Sequence, residues 1–292
     1  MANNTLLVDE RQGDIGNFMV GRLLPFLKKR QVGPFTFIDH MGPSEMGPDK
    51  WMDVDQHPHI GLSTLTYLME GSIQHQDSTG ANQIIEAGDV GFMTAGKGVT
   101  HTERTPRELR KNTLKMHGYQ IWVAMPKELE ESEPSFQYIT RTQLPHWKEG
   151  NLEITLVAGT GFGKQSPLQV HSDLFMVDIT AAEAESLVID GELKGEIAIV
   201  VTHGQVTVEG ETIEAGQMLI SKTSDTCSIS MSPTTRVLLF GGTPLPEERF
   251  LLWNFVSSSK ERLKQAKAAW EKKEFPVVPG DTTYIPFPSS RF

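Results

Sequence analysis

A single cysteine, Cys227, stands in a chain of 292 residues. That excludes a disulfide framework and any CxxC metal or redox site. Nothing beside Cys227 would activate a thiolate, so it reads as a small buried hydrophobe. Long apolar runs are also missing: the longest aliphatic one, residues 197–201, falls far short of a bilayer span. Positive charge is the minority, with 27 Lys and Arg against 37 Asp and Glu and a net charge of −10. The basic footprint of phosphate-backbone binding is therefore absent, and neither a nucleic-acid nor a membrane partner is expected. The N-terminal stretch MANNTLLVDERQG has no basic segment leading into an apolar one. No signal peptide is visible, and the expected location is cytoplasmic.

What is present is β punctuation. Twenty-six glycines and 17 prolines are spread along the chain. Between them lie strand-length runs rich in Val, Ile, Thr and aromatics, at 62–69, 90–94, 119–125, 152–158, 174–179, 196–201 and 236–240. Glu70-Gly71, Ala87-Gly88-Asp89, Glu209-Gly210 and Ala215-Gly216 are the turn candidates. This rhythm predicts a sandwich or barrel rather than alternating β and α units. It also occurs twice. Residues 83–90 read QIIEAGDV and residues 211–218 read ETIEAGQM, 128 positions apart, which predicts a duplicated β domain. One segment reads as helix, about 258–273. Ser258 and Glu261 fit a capping box, Leu263, Ala266 and Trp270 recur on one face, and Pro276 stops it. The tail PVVPGDTTYIPFP is expected to run extended along a neighbouring domain.

His57-Pro58-His59 is the first feature that asks for chemistry. On a strand, residues i and i+2 point to one side, so the two imidazoles share a space. His101-Thr102-Glu103 repeats that spacing with an imidazole and a carboxylate, after the Gly-rich turn Thr94-Ala95-Gly96-Lys97-Gly98. If the two strands face each other, four side chains converge. Three neutral imidazoles and one carboxylate suit a divalent transition metal and leave one or two positions open for catalysis or sensing. The same donors suit Fe, Mn, Ni, Co, Cu and Zn. His75 stands just past the first hairpin, either at the pocket or on its rim. By alternation with His57 and His59, Leu65, Tyr67 and Met69 are expected to form an apolar pocket wall. His171 and His203 are isolated, and no second metal site is expected in the second half. His40, His117 and His146 read as core or surface residues.

The local sequences HPHIGLSTLTYLMEG, AGDVGFMTAGKGVTHTE and GGTPLPEERFLLWNFVSSSKERLKQA resemble the pirin family of the cupin superfamily. The likeness extends over about residues 15–285. It implies an all-β bicupin of two cupin-type barrels with a short C-terminal helix. Residues 1–135 would form the metal-bearing barrel, and residues 136–292 the second, metal-free barrel with the helix and tail. It further implies one non-haem iron, Fe(II) or Fe(III), held by His57, His59, His101 and Glu103. The glutamate that cupins usually carry shortly after the first HxH is replaced by Ser63 and Thr64, which leaves Glu103 as the carboxylate of the two motifs. Bacterial pirin-like proteins resemble quercetin 2,3-dioxygenases. That resemblance implies a flavonol and O2 as substrates, with Glu103 as the base for the 3-hydroxyl and ring opening with loss of carbon monoxide. Pirins also act as co-regulators, which implies an alternative role as an iron-dependent redox sensor that binds a protein partner. A monomer is expected on the same grounds.

Overall fold

The computed structural model describes residues 5–15, 18–47, 50–189, 191–221 and 228–289 of the chain. Cys227 lies outside the described residues. The architecture is all-β with one α-helix among those residues, Lys260–Glu271. The chain divides into two units, each with a broad sheet and a four-stranded sheet.

The first unit takes in residues 12–20, 38–140 and 246–292. Its four-stranded sheet runs in the order Asp53–His59, Val99–Arg104, Ser72–Asp77, Asn82–Glu86. The strands Leu62–Glu70, Val90–Thr94 and Leu114–Ala124 belong to the broad sheet opposite. Alternation along these strands turns one side of each sheet inward. Phe18, Val20, Met52, Val54, Leu68 and Ile73 pack together there. The second unit takes in residues 1–11, 21–37 and 141–245. Its four-stranded sheet has the same serial order: Glu185–Val188, Ser228–Met231, Gln205–Val208, Glu211–Glu214. Leu187, Val206, Val208, Ile213, Ile229 and Met231 face its apolar core.

The two IEAG segments occupy equivalent places. Asn82–Glu86 and Glu211–Glu214 each end the outer hairpin of a four-stranded sheet, and Gly88 and Gly216 follow with φ of 87° and 83°. A positive φ is cheap for glycine alone, which is why the turn repeats that residue.

A single cut after residue 135 does not describe these units. Thr5–Asp9 pairs antiparallel with Gln217–Ser221 of the second unit. Residues 246–292, including the helix, belong to the first unit. The helix buries Leu263, Ala266 and Trp270 against Ile60 and Phe255, the apolar face that its spacing predicts. Its N-cap is Ser259, whose side chain accepts from the Arg262 amide. Ser258 is instead drawn to Glu130, its amide donating to Oε1 at 2.8 Å, so the cap falls one residue later than expected.

The tail belongs to the first unit and packs along it, with no strand of its own and a turn at 279–280. The Ile285 amide donates to the Gln56 carbonyl at 2.9 Å, and the Val278 amide to Gln56 Oε1 at 2.7 Å. Asp281 and Thr283 bond to Arg104. The tail thus grips the two strands that carry the histidine motifs.

Candidate metal centre

Strand pairing places His101 directly opposite His57, and Val99 opposite His59. His57, His59 and His101 bring one ring nitrogen each within 4.8 Å of one another. His59 Nε2 and His101 Nε2 are 3.1 Å apart, and the His57 and His101 ring centroids 4.3 Å. The other nitrogens are occupied. His57 Nδ1 lies 2.8 Å from the Asp55 carbonyl, and His59 Nδ1 lies 3.1 Å from the Asn254 carbonyl. A carbonyl only accepts, so both Nδ1 atoms carry the proton and both Nε2 atoms present lone pairs. Two unprotonated nitrogens aimed into one small space are what a cation would satisfy. This donor set therefore fits a transition-metal ion.

Glu103 takes a different neighbourhood from the one that simple alternation suggests. The ladder between Val99–Arg104 and Asp53–His59 shifts after His101: Glu103 pairs with Val54, so Asp55 and Gln56 together oppose Thr102. This bulge leaves Glu103 grouped with His101 and His75, their ligand atoms within 4.8 Å. His101 is common to both groups. Thr66 Oγ1 lies 3.4 Å from Glu103 Oε1 and 2.8 Å from Gln120 Oε1.

All four residues are buried, with exposures of 7, 1, 0 and 8% for His57, His59, His101 and Glu103. Burial pushes His57 down to about 4, against the pull of its bond to Asp55. Burial, then the neighbouring imidazoles, hold His59 and His101 well below the usual histidine range. The rings are thus neutral, the form that binds metal. Burial pushes the Glu103 carboxyl up to about 7, opposed by hydrogen bonds from Thr66 and Gln120.

His75 is buried at the cluster rather than on a rim. Its ring stacks on Phe136 at 4.4 Å, and its Nδ1 lies 3.4 Å from His101 Nδ1. The expected wall of Leu65, Tyr67 and Met69 is not on this side. Thr66 is the residue of that strand that reaches Glu103, so alternation turns Leu65 and Tyr67 to the other face, and Met69 falls at a bulge where the ladder to Leu114–Ala124 shifts register. The expectation failed because Asp53–His59 and Leu62–Glu70 lie in different sheets. Parity does not carry across the turn at Gly61, which has φ of 65°. His40 and His117 form a separate pair, Nε2 to Nε2 at 2.9 Å. Two surface cavities are lined by other residues: one by Gln143, Gln165 and Gln169, the other by Ser78, Lys97 and Arg262.

Sequence reasoning missed Thr66, Gln120, Asn254 and Asp77. Only Asp77 left a signal: His75-Gln76-Asp77 has the same i, i+2 spacing as the two motifs that were recognised. Asn254 lies 195 residues from the ring that it orients, beyond the reach of any local pattern.

Two β units, one of which buries an imidazole and carboxylate cluster, define a two-cupin protein. The Pirin family model matches residues 17–123, and the Pirin C-terminal cupin domain model matches residues 176–276. A pirin-like protein of Caulobacter vibrioides is 43% identical over 287 residues, covering 97% of this chain and 99% of its own. A crystal structure of quercetin 2,3-dioxygenase from Acinetobacter baumannii aligns with a TM-score of 0.91 and 32% identity, over 98% of this chain and 96% of that one. The bacterial pirin YhhW of Escherichia coli, solved in complex with nickel(II), shares the fold with a TM-score of 0.63 and 21% identity, over 82% of this chain and 100% of its own. The chain belongs to the pirin family.

Proposed function

We propose that this protein is a cytoplasmic metal-dependent dioxygenase that cleaves a flavonol of the quercetin type. His57, His59, His101 and Glu103 would hold a single non-haem iron. The convergence of unprotonated imidazole nitrogens beside a buried carboxylate is the observation that carries this reading. The similarity to a quercetin 2,3-dioxygenase along nearly the whole chain supports the substrate class. Bound there, the ion supplies Lewis-acid and redox chemistry to a flavonol 3-hydroxyl and to O2. The chain's own groups do the rest. Asp55 and Asn254 carbonyls hold the rings of His57 and His59 in one tautomer. Glu103, raised to about 7 by burial, is the group to accept the 3-hydroxyl proton on a carboxylate oxygen. Thr66 and Gln120 hold that carboxylate in position. The dry surroundings strengthen each of these interactions.

The test is anaerobic reconstitution with Fe(II), followed by loss of quercetin absorbance on admitting oxygen. Metal-dependent turnover, abolished in His101→Ala and Glu103→Ala, is expected. Full metal occupancy with no quercetin loss would exclude flavonol cleavage.

The near-complete burial of the four side chains favours a second reading, an iron-dependent redox sensor acting on a protein partner. A sensor needs electrons at the metal but no cavity for an aromatic ring. It predicts a change in partner affinity between the Fe(II) and Fe(III) forms, with quercetin ignored by both.

A further inference from the structure

His75 and Asp77 lie in the four-stranded sheet beside the candidate ligands, and nothing in the proposed reaction uses them. Both are buried, at 2% and 0% exposure. On the Ser72–Asp77 strand, Asp77 sits opposite His101 and His75 sits opposite Glu103. Asp77 is held from every side. Its Oδ1 accepts from the Thr79 amide at 2.8 Å, the Thr79 hydroxyl at 2.6 Å and the Ala81 amide at 3.2 Å. Its Oδ2 is 3.0 Å from His75 Nε2. Burial acts to raise its pKa, but the bonds from His75 and Thr79 outweigh that and hold the carboxyl below its usual range.

An ionised carboxylate has no proton to give, so His75 Nε2 must donate. In a neutral ring, His75 Nδ1 is then an acceptor, and the atom facing it is His101 Nδ1 at 3.4 Å. His101 has one proton for two acceptors, His75 Nδ1 on one side and His59 Nε2 at 3.1 Å on the other, and a cation among the Nε2 atoms requires that proton on Nδ1. Its Nε2 is left bare, pointing where His59 Nε2 already points.

We infer that Asp77 and His75 are positioning residues that set the tautomer of His101, so that all three imidazoles present Nε2 lone pairs to one cation. Backbone carbonyls do this for His57 and His59, and a side-chain relay does it for His101. The inference rests on the metal-centre reading, which assigns the His101 proton to one of its two acceptors; the tautomer itself can be read without metal. Stacking on Phe136, with 10° between the planes, keeps the His75 ring aligned between its two partners.

The test uses metal-free, 15N-histidine-labelled protein and nitrogen–proton correlation spectra, beside cobalt(II) titrations. In the wild type, His101 is expected as the Nδ1–H form and His75 as the Nε2–H form. In Asp77→Asn the amide group would donate to His75 Nε2 while its oxygen keeps the Thr79 and Ala81 bonds. His75 and His101 should both invert, His57 and His59 should not, and cobalt affinity should fall roughly 10- to 100-fold. His75→Gln can accept from His101 and donate to Asp77, so it should keep cobalt affinity within roughly tenfold of wild type. An Nε2–H His101 in the wild type, or an unchanged tautomer in Asp77→Asn, would overturn the relay. So would a His75→Gln protein as devoid of cobalt as His101→Ala, since His75 would then be a ligand. If the wild type shows the expected tautomers yet binds no cobalt, the relay stands and the metal-centre reading falls.

Discussion

The two four-stranded sheets share one serial strand order and differ in what lines their inner side. In the first, the cross-strand row is His57, His101 and Asp77, and the next pair is Glu103 with His75. In the second, the corresponding row is Leu187, Ile229 and Val208, and the next pair is Met231 with Val206. The apolar row joins a continuous core. The polar row must satisfy each nitrogen and oxygen separately, because an unpaired buried polar group costs about 1–3 kcal/mol. The Asn254 carbonyl, Thr66, Gln120 and the Asp77 turn meet that need. One backbone ladder can thus build either an apolar core or a buried polar cluster, and the choice rests on a handful of inward positions.

The sharpest way to break this comparison is to truncate the same place in each sheet. His101→Ala should abolish metal binding and, with it, any quercetin turnover. Ile229→Ala should leave metal content at the wild-type level and cost about 2–5 kcal/mol of unfolding free energy. Metal analysis and urea unfolding of both variants check this. Equal metal loss in the two would dissolve the distinction.

A smaller effect should follow from converting one polar position to its apolar counterpart. His57→Leu places in the first sheet the residue type found at 187. The metal-free variant should unfold within about 1 kcal/mol of wild type, or be more stable, because an apolar group of similar size replaces a desolvated imidazole. Its metal affinity should drop sharply. A large loss of stability in the metal-free protein would show that the ring is a packing element first.

The tail that grips the histidine-bearing strands gives the first unit a pH sensitivity of its own. Burial acts to raise the Asp281 carboxyl, but bonds from Arg104 and Thr283 outweigh it and hold the group below its ordinary value of 3.8. A depressed folded-state value means that the contribution to stability is present above about pH 4 and is lost as pH falls below it. Melting curves between neutral and acid pH should show Asp281→Asn less stable than wild type at neutrality, with the two converging in acid. A gap that persists unchanged in acid would remove the ionised carboxylate from the explanation.

A last comparison, away from the polar cluster, uses the repeated turns. Gly88→Ala and Gly216→Ala each force a side chain into a positive-φ conformation, at 87° and 83°, and should each cost about 1–2 kcal/mol. Thermal unfolding would read the two losses. Unequal values would mean that the turns are not structurally equivalent.

Much of this organisation was legible before any coordinates. The turn glycines, the strand runs and the IEAG repeat announced a duplicated β fold, since the period of two and the need for positive φ are written residue by residue. The HxH and HxE pairs anticipated that the rings of His57, His59 and His101 converge, because the i, i+2 rule holds inside one strand. It failed at each step between elements. Leu65, Tyr67 and Met69 were carried across Gly61 into a different sheet, and the expectation for Glu103 took no account of a bulge that brings it beside His75 as well as His101. That two-residue bulge lies at Asp55 and Gln56.

The amino-acid sequence by itself therefore determined the strands, the turns, the helix face and the residue types able to bind a metal, because each depends on local chemistry repeated at short spacing. The tertiary structure alone decided which strands face each other, where the ladder slips, and that the segment after the second unit returns to orient His59 and clasp Gln56. Those contacts join residues up to 229 positions apart, from Gln56 to Ile285. Their partners are backbone groups that every residue possesses, so no side-chain pattern in the sequence marks them.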